Sequence, residues 1–309
     1  MQGQPVKPLS PRDIAHVCVC ICTYKRPGLL KRLLTEVGQQ NTGGRFTHSI
    51  VVVDNDEAQS GGPIVAEFCS TAAIPVKYCV EPRRGISMAR NMAVENAEGA
   101  FLAFIDDDEF PSRDWLLTAL NACYIFQADG VLGYVKRHFD KVPPRWLAKS
   151  RFFVRRRRTT GMRVDWRQSS TANVLLRKEI LDGERAAFRP DLISGEDVDF
   201  FRRKTEEGYS FIWCAEAVVF DVIPPERWTR TYLAKRALLR GQTAALRPEC
   251  GALSIIKSTV AVPLYTIALP FALLGGHNCF MTLVVKLCDH SGKLLAKAGL
   301  YFFHEYVSG

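Results

Sequence analysis

The feature that most constrains the fold is a regular alternation of short apolar runs and amphipathic segments over residues 17–138. The apolar runs are five or six residues long and mostly aliphatic, which is typical of buried parallel strands. The predicted strands are 17–22, 49–54, 76–80, 100–105 and 130–135. The predicted helices between them are 27–40, 63–70, 86–97 and 112–127. Strands separated by helices imply βαβ units, so we predict an α/β fold around a mostly parallel central sheet.

The second half of the chain is less regular. Further strands are predicted at 171–177, 210–214 and 217–222, and further helices at 195–208 and 229–245. Residues 136–168 are basic and rich in turn residues, and they include the arginine run 155–158. We therefore predict an N-terminal tail at 1–16, a main α/β domain at 17–246, and an apolar helical segment with its tail at 247–309.

Three consecutive carboxylates, Asp106, Asp107 and Asp108, follow the fourth predicted strand. On a strand, Asp106 and Asp108 would point to one face and Asp107 to the other. Like charges so close raise one another's pKa unless a cation relieves them, and Mg²⁺ or Mn²⁺ with oxygen ligands suits this role. Such an ion takes the rest of its shell from water and substrate phosphates, which predicts a nucleotide diphosphate as ligand. The alternative is that the acids favour the N-terminus of the following helix.

Two more polar groups follow the first and second predicted strands, where ligands of parallel sheets bind. They are Thr23-Tyr24-Lys25-Arg26 and Asp54-Asn55-Asp56. No G-x-G-x-x-G phosphate loop is present, so metal and basic side chains would have to hold phosphates. The alternatives are that the aspartates are ordinary turn residues and that Lys25 and Arg26 are loop charges.

Charge and cysteine use indicate the surroundings of the chain. Its net charge is +9, from 41 basic and 32 acidic residues, which favours an anionic partner. No nucleic-acid-binding motif is present and aromatic residues do not interleave with the basic ones, so we expect no nucleic-acid partner. The ten cysteines include no C-x-x-C pair, which fits a reducing cytoplasm.

Residues 258–285 carry no formal charge except possible protonation of His277. This stretch of 28 residues exceeds the ~20 that a membrane span needs, although Pro263 and Pro270 interrupt it. One tilted span, a re-entrant hairpin and an interfacial helix pair all remain open. The alternative is a buried core hairpin, but soluble helices usually keep a polar face.

Read in order, the motifs resemble the inverting nucleotide-sugar transferases of glycosyltransferase family 2, which have the GT-A fold. The matching segments are Val19–Pro27, Val53–Asp56, Arg84–Asn91, Asp106–Asp108 and Gly195–Asp197. The resemblance covers about residues 17 to 240. Within the family, Pro224–Arg227, residues 236–241 and the apolar tail resemble bacterial exopolysaccharide glucosyltransferases of the succinoglycan type.

The resemblance implies a role for each motif. Asp108 would bind the metal, Asp106 would face the metal or the ribose, and Asp197 would be the catalytic base with Glu196 beside it. The nucleotide-sugar site would comprise Thr23, Tyr24, Arg26, Asp54, Asp56, Arg84, Gly85, Arg90, Asn91, Asp106 and Asp107, with Asp54 accepting a hydrogen bond from the base. Asp221 stands where the family often has a histidine, and it would be either a metal ligand or a buried structural acid. Glu196 and Asp197 could instead be first-turn helix acids after a Ser194 cap.

The reaction implied by the resemblance is an inverting transfer of glucose from a UDP-sugar. The cofactor would be Mg²⁺ or Mn²⁺, and the acceptor a lipid-linked (polyprenyl diphosphate) saccharide at the cytoplasmic face of the cell membrane. The alternative is a non-catalytic, basic membrane-surface or nucleic-acid-binding protein on a degenerate nucleotide-sugar fold. The intact acids at 106, 108 and 197 argue against it.

Overall fold

A computed structural model describes residues 14–182, 186–192, 195–246 and 250–301. The strands are β1 (Ala15–Thr23), β2 (Phe46–Asp54), β3 (Val76–Val80), β4 (Phe101–Asp106), β5 (Glu109–Pro111), β6 (Gly130–His138), β7 (Asn173–Arg177) and β8 (Phe211–Val222). The helices are α1 (Pro27–Gly38), α2 (Gly62–Cys69), α3 (Ile86–Asn96), α4 (Trp115–Ile125), α5 (Arg145–Ala148), α6 (Glu196–Glu206), α7 (Arg230–Leu246), α8 (Ala252–Ala272) and α9 (His277–Lys297). Short 3₁₀ helices cover Trp166–Gln168, Lys178–Leu181 and Pro225–Trp228.

The chain divides into two compact units. The first contains residues up to 137 together with 155–222, and the second contains 138–154 together with the residues from 223 onward. Helix α7 therefore groups with α8 and α9, whereas the boundary predicted at 246 falls at the end of α7.

The first unit is built on one sheet with the strand order β3-β2-β1-β4-β7-β6-β8-β5. Strand β1 runs parallel to β2 and β4, and β2 runs parallel to β3, which confirms the predicted βαβ units. Strand β7 lies antiparallel between β4 and β6, and β5 pairs antiparallel with β8. The α/β prediction is confirmed, but the sheet is mixed because a strand from the second half of the chain inserts beside β4.

Two details of the strand prediction are wrong. Residues 210–214 and 217–222 form one continuous strand, because the chain runs through Ala215 and Glu216 without a turn. Strand β5 was not predicted, since it is only three residues long and directly follows the acidic run.

The core explains why the first predicted strand, 17–22, is wholly apolar. Along β1, Val17, Val19 and Ile21 pack into one buried cluster with residues of α1 and α4. The alternate residues Cys18 and Cys20 pack into a second cluster with residues of α3 and α6. Because both faces of the sheet are covered, both sets of alternating side chains must be apolar.

In the second unit, α7 and α9 cross at two glycines. A Cβ atom on Gly241 would lie 2.0 Å from the carbonyl oxygen of Asp289, and one on Gly292 would lie 2.1 Å from that of Leu238. Only glycine allows so close an approach of two helix backbones. Arg240 on α7 donates two hydrogen bonds, each of 3.0 Å, to Asp289 on α9, which fixes the crossing.

The predicted apolar C-terminal segment is helical. Within the described residues, α8 is the helix that is long and apolar enough to cross a membrane, and only 11% of its most apolar window is buried. Helix α9 packs beside it, and Ser258 Oγ lies 2.9 Å from His290 Nδ1.

Candidate active site

The acidic run lies at the end of β4 and in the turn that follows. Asp106 Oδ1 lies 3.7 Å from Arg90, whereas Asp107 accepts hydrogen bonds from Arg26 at 2.8 Å and Thr23 at 2.9 Å. Arg26 also lies 3.3 Å from Asp108. The predicted strand alternation across the run is wrong, because β4 ends at Asp106 and the chain turns before β5. Asp107 and Asp108 therefore share one arginine.

The three aspartates differ in accessibility. The Asp106 side chain is 41% exposed and that of Asp108 is 17% exposed, whereas Asp107 is buried. Desolvation by the surrounding protein raises the pKa of Asp106 and of Asp107. The guanidinium of Arg90 opposes this rise for Asp106, and that of Arg26 opposes it for Asp107. Asp107 thus links the loop after β1 to the acidic turn, and Asp106 is the aspartate that a ligand reaches most easily. Contacts from Thr23, Arg26 and Asp107 to a nucleotide stay predictions.

Glu109 is a further acid at this site that the sequence reasoning did not assign. It is buried, its Oε1 lies 3.9 Å from Arg155, and its Oε2 has no hydrogen-bond partner in the described part of the chain. Burial raises its pKa well above the ordinary value, and the charges of Asp106 and Asp221 add to the effect. Its position as the fourth acid of the run is the sequence feature that could have indicated Glu109 as a site residue.

Asp221 lies opposite Glu109 in the antiparallel pair of β5 and β8. This register brings the acid from β8 to the same edge as the acidic turn. Its predicted role, as metal ligand or as buried structural acid, stays a prediction.

Asp54 ends β2 and is fully buried. Its carboxylate accepts hydrogen bonds from the backbone N–H of Asp56 at 3.1 Å, the N–H of Gly61 at 2.7 Å and the hydroxyl of Tyr78 at 2.9 Å. This geometry is that of a side chain that shapes the loop after β2, as in the turn alternative. Its direct contact with a nucleotide base stays a prediction, as does that of Asp56.

Asn55 joins the loop after β2 to the loop after β3. Its side-chain amide donates to the carbonyl oxygens of Glu81 at 2.7 Å and Arg83 at 2.8 Å, and its Oδ1 accepts from the N–H of Gly85 at 3.0 Å. Gly85 has φ +140°, a conformation that favours glycine. Asn55 was not assigned from sequence, although it lies inside a predicted motif.

Two cations lie close to the ring of Tyr24. The guanidinium of Arg84 is 5.0 Å from the ring centroid, and the ammonium of Lys25 is 5.1 Å from it. Both distances are within the range of cation–π attraction. The structure thus brings together the loop after β1 and the segment before α3, which the sequence placed in one site.

Arg90 connects the acidic turn to the start of α6. It is buried on α3, it donates a hydrogen bond to the buried Glu196, and it lies 3.7 Å from Asp106. The neighbouring Asn91 binds the backbone of Phe188. Its side-chain NH₂ donates to the carbonyl oxygen of Phe188 at 2.7 Å, and its side-chain oxygen accepts from the N–H of Phe188 at 2.9 Å. Asn91 therefore fixes the loop before α6, and its contact with a nucleotide sugar stays a prediction.

Asp197 follows Glu196 in the first turn of α6, after Gly195 with φ +86°. Burial raises its pKa, the charge of Glu196 adds to the rise, and Arg90 opposes it. The predicted Ser194 cap lies outside the described residues. Asp197 is thus a half-buried carboxylate with a raised pKa, beside the network that reaches Asp106.

The donor chemistry of the acidic turn fits Mg²⁺ or Mn²⁺. Within the described ranges, no three His, Cys, Asp or Glu side chains are arranged to hold a metal ion. Mg²⁺ is commonly held by only one or two carboxylates, with water and substrate phosphates completing its shell, so Asp106 and Asp108 are the residues that would hold it. The exposed side of Asp106 is where such a shell would be completed.

Comparison with known proteins agrees with these observations. The family model of Glycosyl transferase family 2 matches residues 18–182. The chain is 33% identical over 235 residues to the succinoglycan biosynthesis protein ExoM of Rhizobium meliloti, which covers 75% of each chain.

Solved structures show the same fold. The crystal structure of S. aureus TarS 1-349 in complex with UDP is 16% identical, with a TM-score of 0.53 over 93% of this chain and 92% of TarS. The mannosyltransferase PcManGT from Pyrobaculum calidifontis, in complex with GDP-Man and Mn²⁺, is 17% identical, with a TM-score of 0.60 over 93% of this chain and 89% of that protein. The fold and family predicted from the motifs are confirmed, and the chain belongs to glycosyl transferase family 2, as a glycosyltransferase with the GT-A fold.

Proposed function

We propose that this enzyme transfers glucose from UDP-glucose to a lipid-linked saccharide, with inversion at the anomeric carbon, in the assembly of a cell-surface polysaccharide. The observation that carries the proposal is the Arg90 network, which connects Asp106 with the start of α6. This network supports the proposal because it joins the proposed metal ligand Asp106 to the helix turn that carries the proposed base, Asp197. The similarity to a succinoglycan biosynthesis protein supports the polysaccharide.

Asp197 is the proposed general base. It removes the proton from the acceptor hydroxyl as that oxygen attacks the anomeric carbon and the bond to the UDP oxygen breaks. A base works best with a pKa near the working pH, and burial shifts the pKa of Asp197 in that direction. Glu196 is held by Arg90, so its role is to position α6.

The leaving diphosphate develops negative charge during transfer. Mg²⁺ or Mn²⁺ held by Asp106 and Asp108 would neutralise that charge. Arg26 keeps Asp107 and Asp108 in place, and Tyr24, Arg84 and Gly85 form the proposed surface for the nucleotide.

The proposed site for the acceptor's diphosphate is a cavity of about 150 Å³ in the first unit. Arg155, Arg156 and Arg158 line it together with Trp213, and no acidic side chain is among its lining residues. Arg155 also lies 3.9 Å from Glu109, so the cavity adjoins the acidic turn. A polyprenyl diphosphate matches this charge, and the exposed apolar α8 supports an enzyme held at a membrane. The cytoplasmic face is proposed because nucleotide sugars are made in the cytoplasm.

The test is a panel of UDP-sugars with a polyprenyl-diphosphate-linked saccharide, in which UDP release and the mass of the lipid-linked product are measured. We expect UDP-glucose to give a product heavier by one hexose, and Asp197→Asn to give almost none. Full activity with another sugar would correct the donor. No UDP release with any donor would contradict the proposed function.

A further inference from the structure

We infer that α8 lies in the plane of an anionic membrane surface and does not cross the bilayer. One apolar stripe of the helix is inserted into the membrane surface. The inference rests on the proposed membrane association and specifies its geometry. All of the residues that carry it belong to the second unit.

The outer face of α8 and of the turn after it is a stripe of large apolar side chains spaced three or four residues apart. Its members are Leu253, Ile256, Val260, Leu264, Ile267, Phe271 and Leu274, each between 59% and 88% exposed. This spacing places them on one side of a helix. We call this set the α8 stripe.

The inner face of α8 packs against α9. Ser258 and Ala261 are buried there, and Ser258 contacts His290. Because α8 and α9 form a hairpin closed by residues 273–276, the pairing of Ser258 with His290 fixes their register. Both helices rise about 1.5 Å per residue, so counting four residues from this pair along each helix puts Lys286 near the level of Val262, the midpoint of α8.

A spanning α8 would therefore bring charges into the hydrocarbon. It would carry α9 with it and place Lys286 near the bilayer midplane, with the ion pair of Asp289 and Arg240 one turn away. Charged side chains at that depth are costly and rare. An in-plane helix avoids the cost, since only the α8 stripe needs to leave water.

The far end of the hairpin also argues against insertion tip-first. The ring of Trp146 packs edge-on against His277 at 5.1 Å, and Asn278 donates to the carbonyl of Lys149 at 3.3 Å. These contacts hold the basic α5, with Arg145 and Lys149, at the tip. Lys257 lies near the other end of α8. Cations at both ends suit a helix that lies flat on anionic headgroups.

The test compares Ile267→Asp with Thr266→Asp in the purified full chain. Both residues are exposed, but they lie about 100° apart around the helix, and only Ile267 belongs to the α8 stripe. Flotation with phosphatidylglycerol-containing vesicles and with phosphatidylcholine vesicles measures membrane binding. We expect the unchanged chain to prefer the anionic vesicles, Ile267→Asp to lose about tenfold or more in bound fraction, and Thr266→Asp to change it less than about threefold.

A spanning helix would give a different result, because both substitutions would then place a charge in hydrocarbon and impair binding alike. That result, or resistance of the unchanged chain to alkaline carbonate extraction, would overturn the inference. Absence of vesicle binding by the unchanged chain would also overturn it.

Two controls keep the result interpretable. Circular dichroism checks folding, and Val260→Asp with Thr259→Asp provides a second neighbouring pair of the same design. UDP release in detergent should be the same for all variants. If no form releases UDP but Ile267→Asp alone loses vesicle binding, the proposed function fails while the α8 geometry stands.

Discussion

Replacing Arg90 with methionine should destabilise the first unit strongly. The Arg90 and Glu196 side chains are only 9% and 8% exposed, so the substitution leaves a buried carboxylate without its cation. Removing one partner of a buried ion pair costs about 3–5 kcal/mol. For a unit of about 200 residues, each kcal/mol lowers Tm by about 2–4 °C, which gives a drop of roughly 6–20 °C.

Urea and thermal unfolding followed by circular dichroism would measure this loss. The matched control is Arg202→Met on α6, whose side chain is 37% exposed and pairs with Asp199 and Glu206 at the surface. It should cost no more than about 1 kcal/mol. Adding Glu196→Gln to Arg90→Met should recover part of the stability, because the unpaired carboxylate becomes neutral. Equal losses for the two arginines, or no recovery in the double variant, would refute the reasoning.

Three further predictions follow from the geometry. Asp108→Ala should abolish UDP release, whereas the control Glu57→Ala, at an exposed position, should keep it. Full activity of the unchanged enzyme in excess chelator would contradict metal dependence. Burial raises the pKa of Asp197, and activity should rise with pH as this carboxyl loses its proton. The acid limb of the pH profile of kcat/KM should therefore lie above pH ~3.9, the pKa of an ordinary aspartate. An acid limb at or below that pH would count against Asp197 as the base. Gly241→Val places side-chain atoms against a carbonyl of α9, so thermal unfolding should show that the free energy of unfolding falls by at least about 1–3 kcal/mol. The control Gly251→Ala, which has open space around its Cβ, should change stability little. An unchanged Tm for Gly241→Val would contradict the close crossing.

The sequence was sufficient to predict the strands and helices of the parallel half of the sheet. The predicted strands that became β1, β2 and β4 are nearly continuous apolar runs, because helices cover both faces of the sheet there, and such runs are easy to recognise. The position of β7 could not be predicted, since strand order depends on long-range pairing that a local pattern does not encode. The split of β8 was a local error, because Glu216 interrupts the apolar pattern without ending the strand.

For the candidate site, the sequence located the groups but not their individual contacts. Asp54 is turned inward by three donors, and Asn91 is bound to the backbone of Phe188. The hydrogen bond from Tyr78 to Asp54 and the pairing of Asn91 with Phe188 join segments that meet only in the folded chain. Glu109 was overlooked because its significance comes from burial, which a run of acids does not predict.

The most direct test of the account compares donor binding and single-turnover transfer for the unchanged enzyme and Asp197→Asn. The substitution is nearly isosteric and removes only the capacity to accept a proton at the base. The account predicts that calorimetric binding of UDP-glucose is preserved while the transfer rate falls by about 10²-fold or more. Loss of donor affinity with an unchanged transfer rate for bound donor would contradict it.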